Sequence, residues 1–199
     1  MTNNYNPLMQ RDIIEEEQFS NREFENTDLP KEGFEYCEFI NCSFKDNYLS
    51  NLIFTECTFK NCDLSMIKVQ NTSFRDVKFV DCKLLGVRFD QCDSLILSFD
   101  FEGCTLNFAS FYQLKLRQTK FIRCIMQEVE FIEADLSKVL FDQCELTRAL
   151  FENTNMEETD FSTSHNYSLD PELNKLKNTK FSTPGVLGLL DKYSIIIKN

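Results

Sequence analysis

The residues of this chain whose types promise the most specific chemistry are nine cysteines and a lone histidine. Thiolates ligate zinc or exchange disulfides, and a histidine beside a nucleophile is the core of acyl-transfer catalysis. Cys37 and Cys42, then Cys57 and Cys62, form C-x4-C pairs, which do not match a compact zinc knuckle. His165 lies in the polar stretch STSHNYS with no cysteine beside it, so a turn residue is expected. Glu15-Glu16-Glu17 and Glu157-Glu158 are acid/base pairs in type, but general acid–base work needs a cleft and nothing places either in one. The sequence has neither a P-loop nor a G-x-G-x-x-G run. The expectation is no catalytic residue, no metal ligand, no cofactor and no enzyme.

What must position these residues is a repeat of five. From Phe19, steps of five reach Phe24, Leu29, Phe34, Phe39, Phe44, Leu49, Phe54, Phe59, Leu64, Val69, Phe74, Phe79, Leu84 and Phe89. The register resumes two residues out of step at Leu106 and runs through Phe111, Leu116, Phe121, Met126, Phe131, Leu136, Phe141, Leu146, Phe151 and Met156 to Phe161. A period of five suits neither a helix at 3.6 nor a strand at 2; it demands a chain that turns a corner every five residues. All nine cysteines stand two residues before a repeat centre, Cys92 if the first register is carried on to Ser94, and Ala, Val and Thr supply most of the other residues at that position. The unit is therefore small, polar, large apolar, polar, polar, with two inward positions per face and room for one large side chain. Cys42, Cys62 and Cys82 are twenty apart, as are Cys104, Cys124 and Cys144, so four faces make a coil. One cysteine ladder is predicted, beside a stack of Phe39, Phe59, Phe79, Phe121, Phe141 and Phe161 whose gap either Phe99 or Phe101 fills. A ladder is a line, not a tetrahedron, so the thiols read as small buried hydrophobes.

This pattern resembles the pentapeptide-repeat family, whose unit reads roughly A-(D/N)-L-X-X. The resemblance implies an all-β, right-handed quadrilateral parallel β-helix, a pentapeptide-repeat solenoid with a short C-terminal helical and extended dimerisation tail. Three regions are expected: a capping segment over 1–18, charged by Asp12, Glu15, Glu16 and Glu17; the β-helix over 19–161, with the register slip between 89 and 106; and, over 162–199, a last partial coil at Leu176 and Phe181 with short helices and a tail. Asp170-Pro171 and Thr183-Pro184 read as helix starts. The apolar tail folds over its own last coil or packs against a second copy; in the topoisomerase-protecting members this end forms the dimer interface. A homodimer through Val186, Leu187, Leu189, Leu190, Tyr193, Ile195 and Ile197 is the expectation.

Net charge is −11, and an acidic surface repels nucleic acid, so direct nucleic-acid binding is not expected. No apolar run approaches the roughly 18–20 residues of a membrane span, and the N-terminal sequence lacks a signal-peptide pattern; a soluble cytoplasmic protein is expected. Stretches such as TSFRDVKFVDCKLLGV and SFDFEGCTLNFASFYQLKL look like the branch containing the albicidin-resistance and quinolone-resistance pentapeptide proteins. That branch binds DNA gyrase, a type II topoisomerase, as a DNA mimic and protects it from topoisomerase poisons. Its quinolone-resistance members use long loops, whereas the interruption here is the two-residue slip. A structural rod with some other protein partner is the alternative. If a topoisomerase is the partner, Asp135, Asp142, Glu152, Glu157 and Asp160 are the candidate contacts.

Overall fold

The computed structural model describes residues 12–95, 97–193, 195, 196 and 198. Its strands are three or four residues long, because each is one face of a coil. They are β1 (Ile13–Glu15), β2 (Gln18–Ser20), β3 (Gly33–Glu35), β4 (Glu38–Ile40), β5 (Ile53–Thr55), β6 (Thr58–Lys60), β7 (Ser73–Arg75), β8 (Val77–Val80), β9 (Phe99–Glu102), β10 (Lys120–Ile122) and β11 (Leu140–Asp142). All pairing is parallel, in a four-stranded sheet β1-β3-β5-β7 and a seven-stranded sheet β2-β4-β6-β8-β9-β10-β11. Like meets like: Phe34 pairs with Phe54, and Phe39 with Phe59. Isolated bridges extend the larger sheet's column from Leu140 to Asp160 and on to Lys180. At ~4.8 Å per rung the column is about 38 Å tall.

Corners make the square. The second residue after most repeat centres has a positive φ near 50–65°, as at Asn41, Asn61, Asn71, Asp76 and Asp81. Asn and Asp tolerate this left-handed conformation better than other non-glycine residues. Inside, Phe39, Phe59, Phe79, Phe101, Phe121, Phe141, Phe161 and Phe181 stack with ring centroids 4.6–5.8 Å apart. A second stack of Phe89, Phe111, Phe131 and Phe151 meets the first edge-on, for instance 5.8 Å and 78° between Phe111 and Phe121. Offset stacks and edge-to-face contacts are the favourable geometries for aromatic quadrupoles.

The position two before each centre does more than save space. Cys62 Sγ donates to Phe39 O at 3.3 Å, and Cys82 Sγ to Phe59 O at 3.4 Å. Thr72, Thr154 and Thr159 use their hydroxyls the same way, toward Leu49, Phe131 and Leu136 carbonyls at 2.7–2.8 Å. Where this position holds Cys or Thr, the side chain thus tethers its coil to the one beneath.

The register slip is resolved. Asp93 N donates to Thr72 O, but Val77 pairs with Phe99, twenty-two residues on; the two extra residues are taken up between Asp93 and Ser98. Phe101 continues the long stack, while Phe99 takes the small position two residues earlier and fills the space where the Phe34–Phe54–Phe74 stack ends, 6.3 Å from Phe74.

Two boundaries differ from expectation. Among the described residues the solenoid is already formed at β1, with Ile14 opposite Phe34; Ile14 is a repeat centre, so the predicted capping segment over 1–18 contains a rung of the coil. Glu15 and Glu16 point outward from it. At the other end, Asp170-Pro171 begins a single turn rather than a helix. Asn174 Nδ2 donates to Asp170 O and Phe151 O, both at 2.9 Å, which pulls the chain back onto the coil, where Met156 N donates to Lys175 O. After Thr183-Pro184 come two short 3-10 helices, Gly185–Leu189 and Asp191–Tyr193.

Candidate partner-binding surface

The interior holds the thiols away from chemistry. All nine cysteines are buried and unpaired. Burial pushes Cys57 up to about 12 and raises Cys37 and Cys42 as well. Cys144, at the top of the ladder, is the exception, held below the usual thiol value chiefly by the hydrogen bond from Cys124. Among the described residues no group of three or more His, Cys, Asp and Glu side chains is arranged to hold a metal. His165 is exposed on the last coil, its Nε2 3.2 Å from Glu145 Oε2. Partial burial works against ionisation of Glu145, but hydrogen bonds from Thr147 and Asn166 outweigh it and keep the carboxyl below its ordinary range. Glu15, Glu16 and Glu17 are exposed, as is Glu158, while Glu157 is half-buried.

The five carboxylates singled out in the sequence do not converge. Position in the repeat decides the face: Asp135 and Glu157 share one, Asp142 and Asp160 the next, and Glu152 a third. Asp135 is engaged, with Arg117 Nε at 2.7 Å and Asn155 Nδ2 at 3.1 Å. Asp160 meets Lys180 Nζ at 3.1 Å. Asp142 accepts from Thr163 Oγ1 at 2.8 Å. Asp142, Glu152 and Glu157 are in no ion pair among the described residues. Similar pairs cross between coils elsewhere, Arg123 with Glu102, Arg148 with Glu128 and Lys60 with Glu38. These pairs offset part of the mid-rod charge, whereas Asp142, Glu152 and Glu157, with Glu15, Glu16 and Glu17 on the first coil, are paired with no cation among the described residues.

The tail folds over its own last coil and leaves part of its apolar surface exposed. Leu189 packs against the core, Leu169 N donates to Gly188 O at 3.2 Å, and Lys192 reaches Asp170 and Glu172 at 2.6 and 3.0 Å. Tyr167, buried, closes the aromatic column over Phe161 and Phe181. Yet Val186, Leu187, Tyr193 and Ile195 remain exposed, 40–56% accessible, and Leu190 is half-buried. Ile197 lies outside the described residues.

One exposed feature was not singled out by the sequence reading: Met66, Leu85 and Phe108 stand at neighbouring outward positions on the face whose inward centres are Leu64, Leu84 and Leu106. An aromatic two residues after a repeat centre, where Asn and Asp recur, was the available signal.

No curated protein matches the sequence. Among solved structures, two trypsin-treated single-substitution variants of QnrB1, a plasmid-mediated fluoroquinolone resistance protein, superpose with TM-scores of 0.61 and 0.62 at 19% identity. The matches cover 94% and 93% of this chain and 100% and 99% of theirs. Full-length QnrB1 gives a TM-score of 0.55 at 18% identity, over 92% of this chain and 100% of that one. At such identity the likeness establishes the shared right-handed quadrilateral β-helix. The family description "Pentapeptide repeat region" matches residues 32–100, 52–124 and 96–170 in overlapping windows, and with most of its length so matched, this chain belongs to the pentapeptide repeat family.

Proposed function

We propose that this protein is a non-enzymatic DNA mimic that binds a type II topoisomerase, DNA gyrase in particular, and modulates it or protects it from topoisomerase poisons. One observation carries the reading: a solenoid of constant cross-section, about 38 Å tall, bears a net charge of −11. B-DNA of that length has about 22 charges, so the density is about half that of the duplex on a body of similar length. The likeness to a fluoroquinolone resistance protein supports the choice of partner. Two copies joined at the exposed apolar tail make a rod of about 70–80 Å, a little over twenty base pairs at ~3.4 Å each.

The test is a supercoiling assay with purified gyrase and titrated protein, without drug and then with albicidin or a quinolone. Inhibition that weakens steeply as salt rises is the expected result, because charge-driven association is screened. Inhibition independent of salt counts against mimicry, and no effect at micromolar protein favours a structural rod with another partner. Rescue from the drug identifies protection. Charge reversal at Asp142, Glu152 and Glu157 is expected to weaken inhibition more than reversal at Asp135 or Asp160, whose charge Arg117 and Lys180 already offset.

A further inference from the structure

The interior that keeps reagents away from the thiols also lines them up. Cys62, Cys82, Cys104, Cys124 and Cys144 lie one above another, each sulfur within hydrogen-bond reach of the next. Below them Cys42 N donates to Cys62 Sγ at 3.4 Å. Cys37, Cys57 and Cys92 stand outside this column. Equivalent atoms of stacked coils repeat at ~4.8 Å. Two metal–sulfur bonds laid end to end, at the ~2.3 Å of a zinc thiolate, span about 4.6 Å. The two lengths agree, so an ion midway between consecutive sulfurs finds both at bonding distance with the coils unmoved. Zinc gains nothing from this, because it wants four ligands in a tetrahedron. Cu(I) is soft, prefers sulfur and is satisfied by two ligands in a line.

Charge points the same way. The ladder stands among phenylalanine and leucine centres, and among the described residues no carboxylate, lysine or arginine is buried in that core. A net charge left there would have no counter-charge, which is costly. A monovalent ion avoids the cost by taking the place of one proton. One sulfur becomes a thiolate, and its partner binds through a lone pair while its own S–H still donates to the carbonyl of the coil beneath. Those carbonyls are in place, Phe39 O at 3.3 Å from Cys62 Sγ and Phe79 O at 3.3 Å from Cys104 Sγ.

We propose that this ladder binds Cu(I), each ion two-coordinate between consecutive sulfurs and no sulfur shared, so that the five sulfurs in contact hold two ions. Each ion releases one proton and copper stays in the +1 state throughout. The six ladder cysteines are at most 2% exposed, so the ion enters while the coils assemble. The site is internal, and it neither uses nor needs the outer surface invoked for a topoisomerase.

The full chain is refolded from urea under argon with Cu(I), supplied as its acetonitrile complex in excess glutathione, then desalted, and copper per chain is counted by native mass spectrometry. Two ions are expected, with X-ray absorption giving two sulfurs per copper and a melting temperature several degrees higher, because the ion binds only the folded stack. Cys82→Ser/Cys124→Ser separates every sulfur contact of the ladder and should retain no copper. Serine keeps the bond to the coil beneath, as Ser164 does at 2.8 Å, but offers a hard oxygen that suits Cu(I) poorly. Cys37→Ser/Cys92→Ser removes as many thiols without touching the ladder and should retain two ions. Equal loading of the two variants would overturn the proposal by making the copper a matter of thiol number alone. Three or more ligands per copper would overturn it on the parent chain, whether or not the first variant refolds. So would a parent that regains its native circular dichroism with less than one ion bound, or that refolds without copper and fails to with it.

Discussion

Every inward small position selects for size, and where it holds Cys, Thr, Ser or Asn it also supplies a hydrogen to donate, whereas Ala and Val, as at Ala109 and Val129, supply size alone. Cys, Thr, Ser and Asn all appear there with a carbonyl of the coil below as acceptor, as Cys104 with Phe79 O, Ser164 with Phe141 O and Asn47 with Phe24 O show. The sequence alone reveals the size rule, since every cysteine keeps the five-residue phase, but the donor rule appears only when one coil lies on another. Cys62→Ser should therefore be nearly neutral, while Cys62→Leu should cost about 1–3 kcal/mol through overpacking; urea midpoints distinguish them. Because burial holds thiols such as Cys57 protonated, Ellman's reagent should find no fast-reacting thiol in the native protein and nine after denaturation. Rapid native labelling would mean the ladder opens. The same limit applies to surface chemistry: the pairing of Arg117 with Asp135 is invisible to a linear reading and plain once the coil is counted.

Among the described residues, the segment between Asp93 and Ser98 is where the twenty-residue count of the stack departs by two. Its place was legible from the broken count between Phe89 and Leu106. Which phenylalanine continued the stack was not, because either fits by spacing; the choice depends on the space left when the Phe34–Phe54–Phe74 column ends. Deleting Ser94 and Leu95 would return the count from Phe89 to Phe101 to two whole repeats. It should nonetheless destabilise, since the repeat centre restored before Phe99 would compete for the space at the end of the Phe34–Phe54–Phe74 column that Phe99 now fills, an overpacking cost of about 1–3 kcal/mol. Adding Phe99→Ala to the deletion should recover most of the loss. Thermal melts of the two variants check this, and equal melting temperatures would mean that Phe99 does not need the insertion. The C-terminal turn teaches a related lesson: Asp170-Pro171 has the local chemistry of a helix start, yet the Asn174 side chain and the waiting edge of the coil decide otherwise.

For the molecule as a whole, acid should loosen what the ion pairs and carboxylate hydrogen bonds hold. In Asp135, Glu145 and Asp160 burial pushes toward the neutral form, but hydrogen bonds and nearby cations win and lower the folded-state values. Groups depressed in this way stabilise the fold above their unfolded values near 4, and that contribution disappears as pH falls through the folded values. Urea midpoints should hold from pH 7 to about 5 and drop between about 4 and 2; a midpoint that rose over the lower interval would contradict the assignment. If two copies join at the tail, Leu187→Asp with Tyr193→Ser should convert the dimer to a monomer by light scattering without shifting the melt, because both side chains are exposed in the single chain.

The even spacing of the coils has a consequence for descent. A twenty-residue duplication in phase with the repeat inserts a coil that finds the same neighbours above and below, so the contacts remain those of adjacent repeats. Selection can thus lengthen or shorten such a gene in whole increments while leaving both termini untouched. A two-residue change such as that before Ser98 must instead be absorbed locally, and it remains visible as a scar in the count.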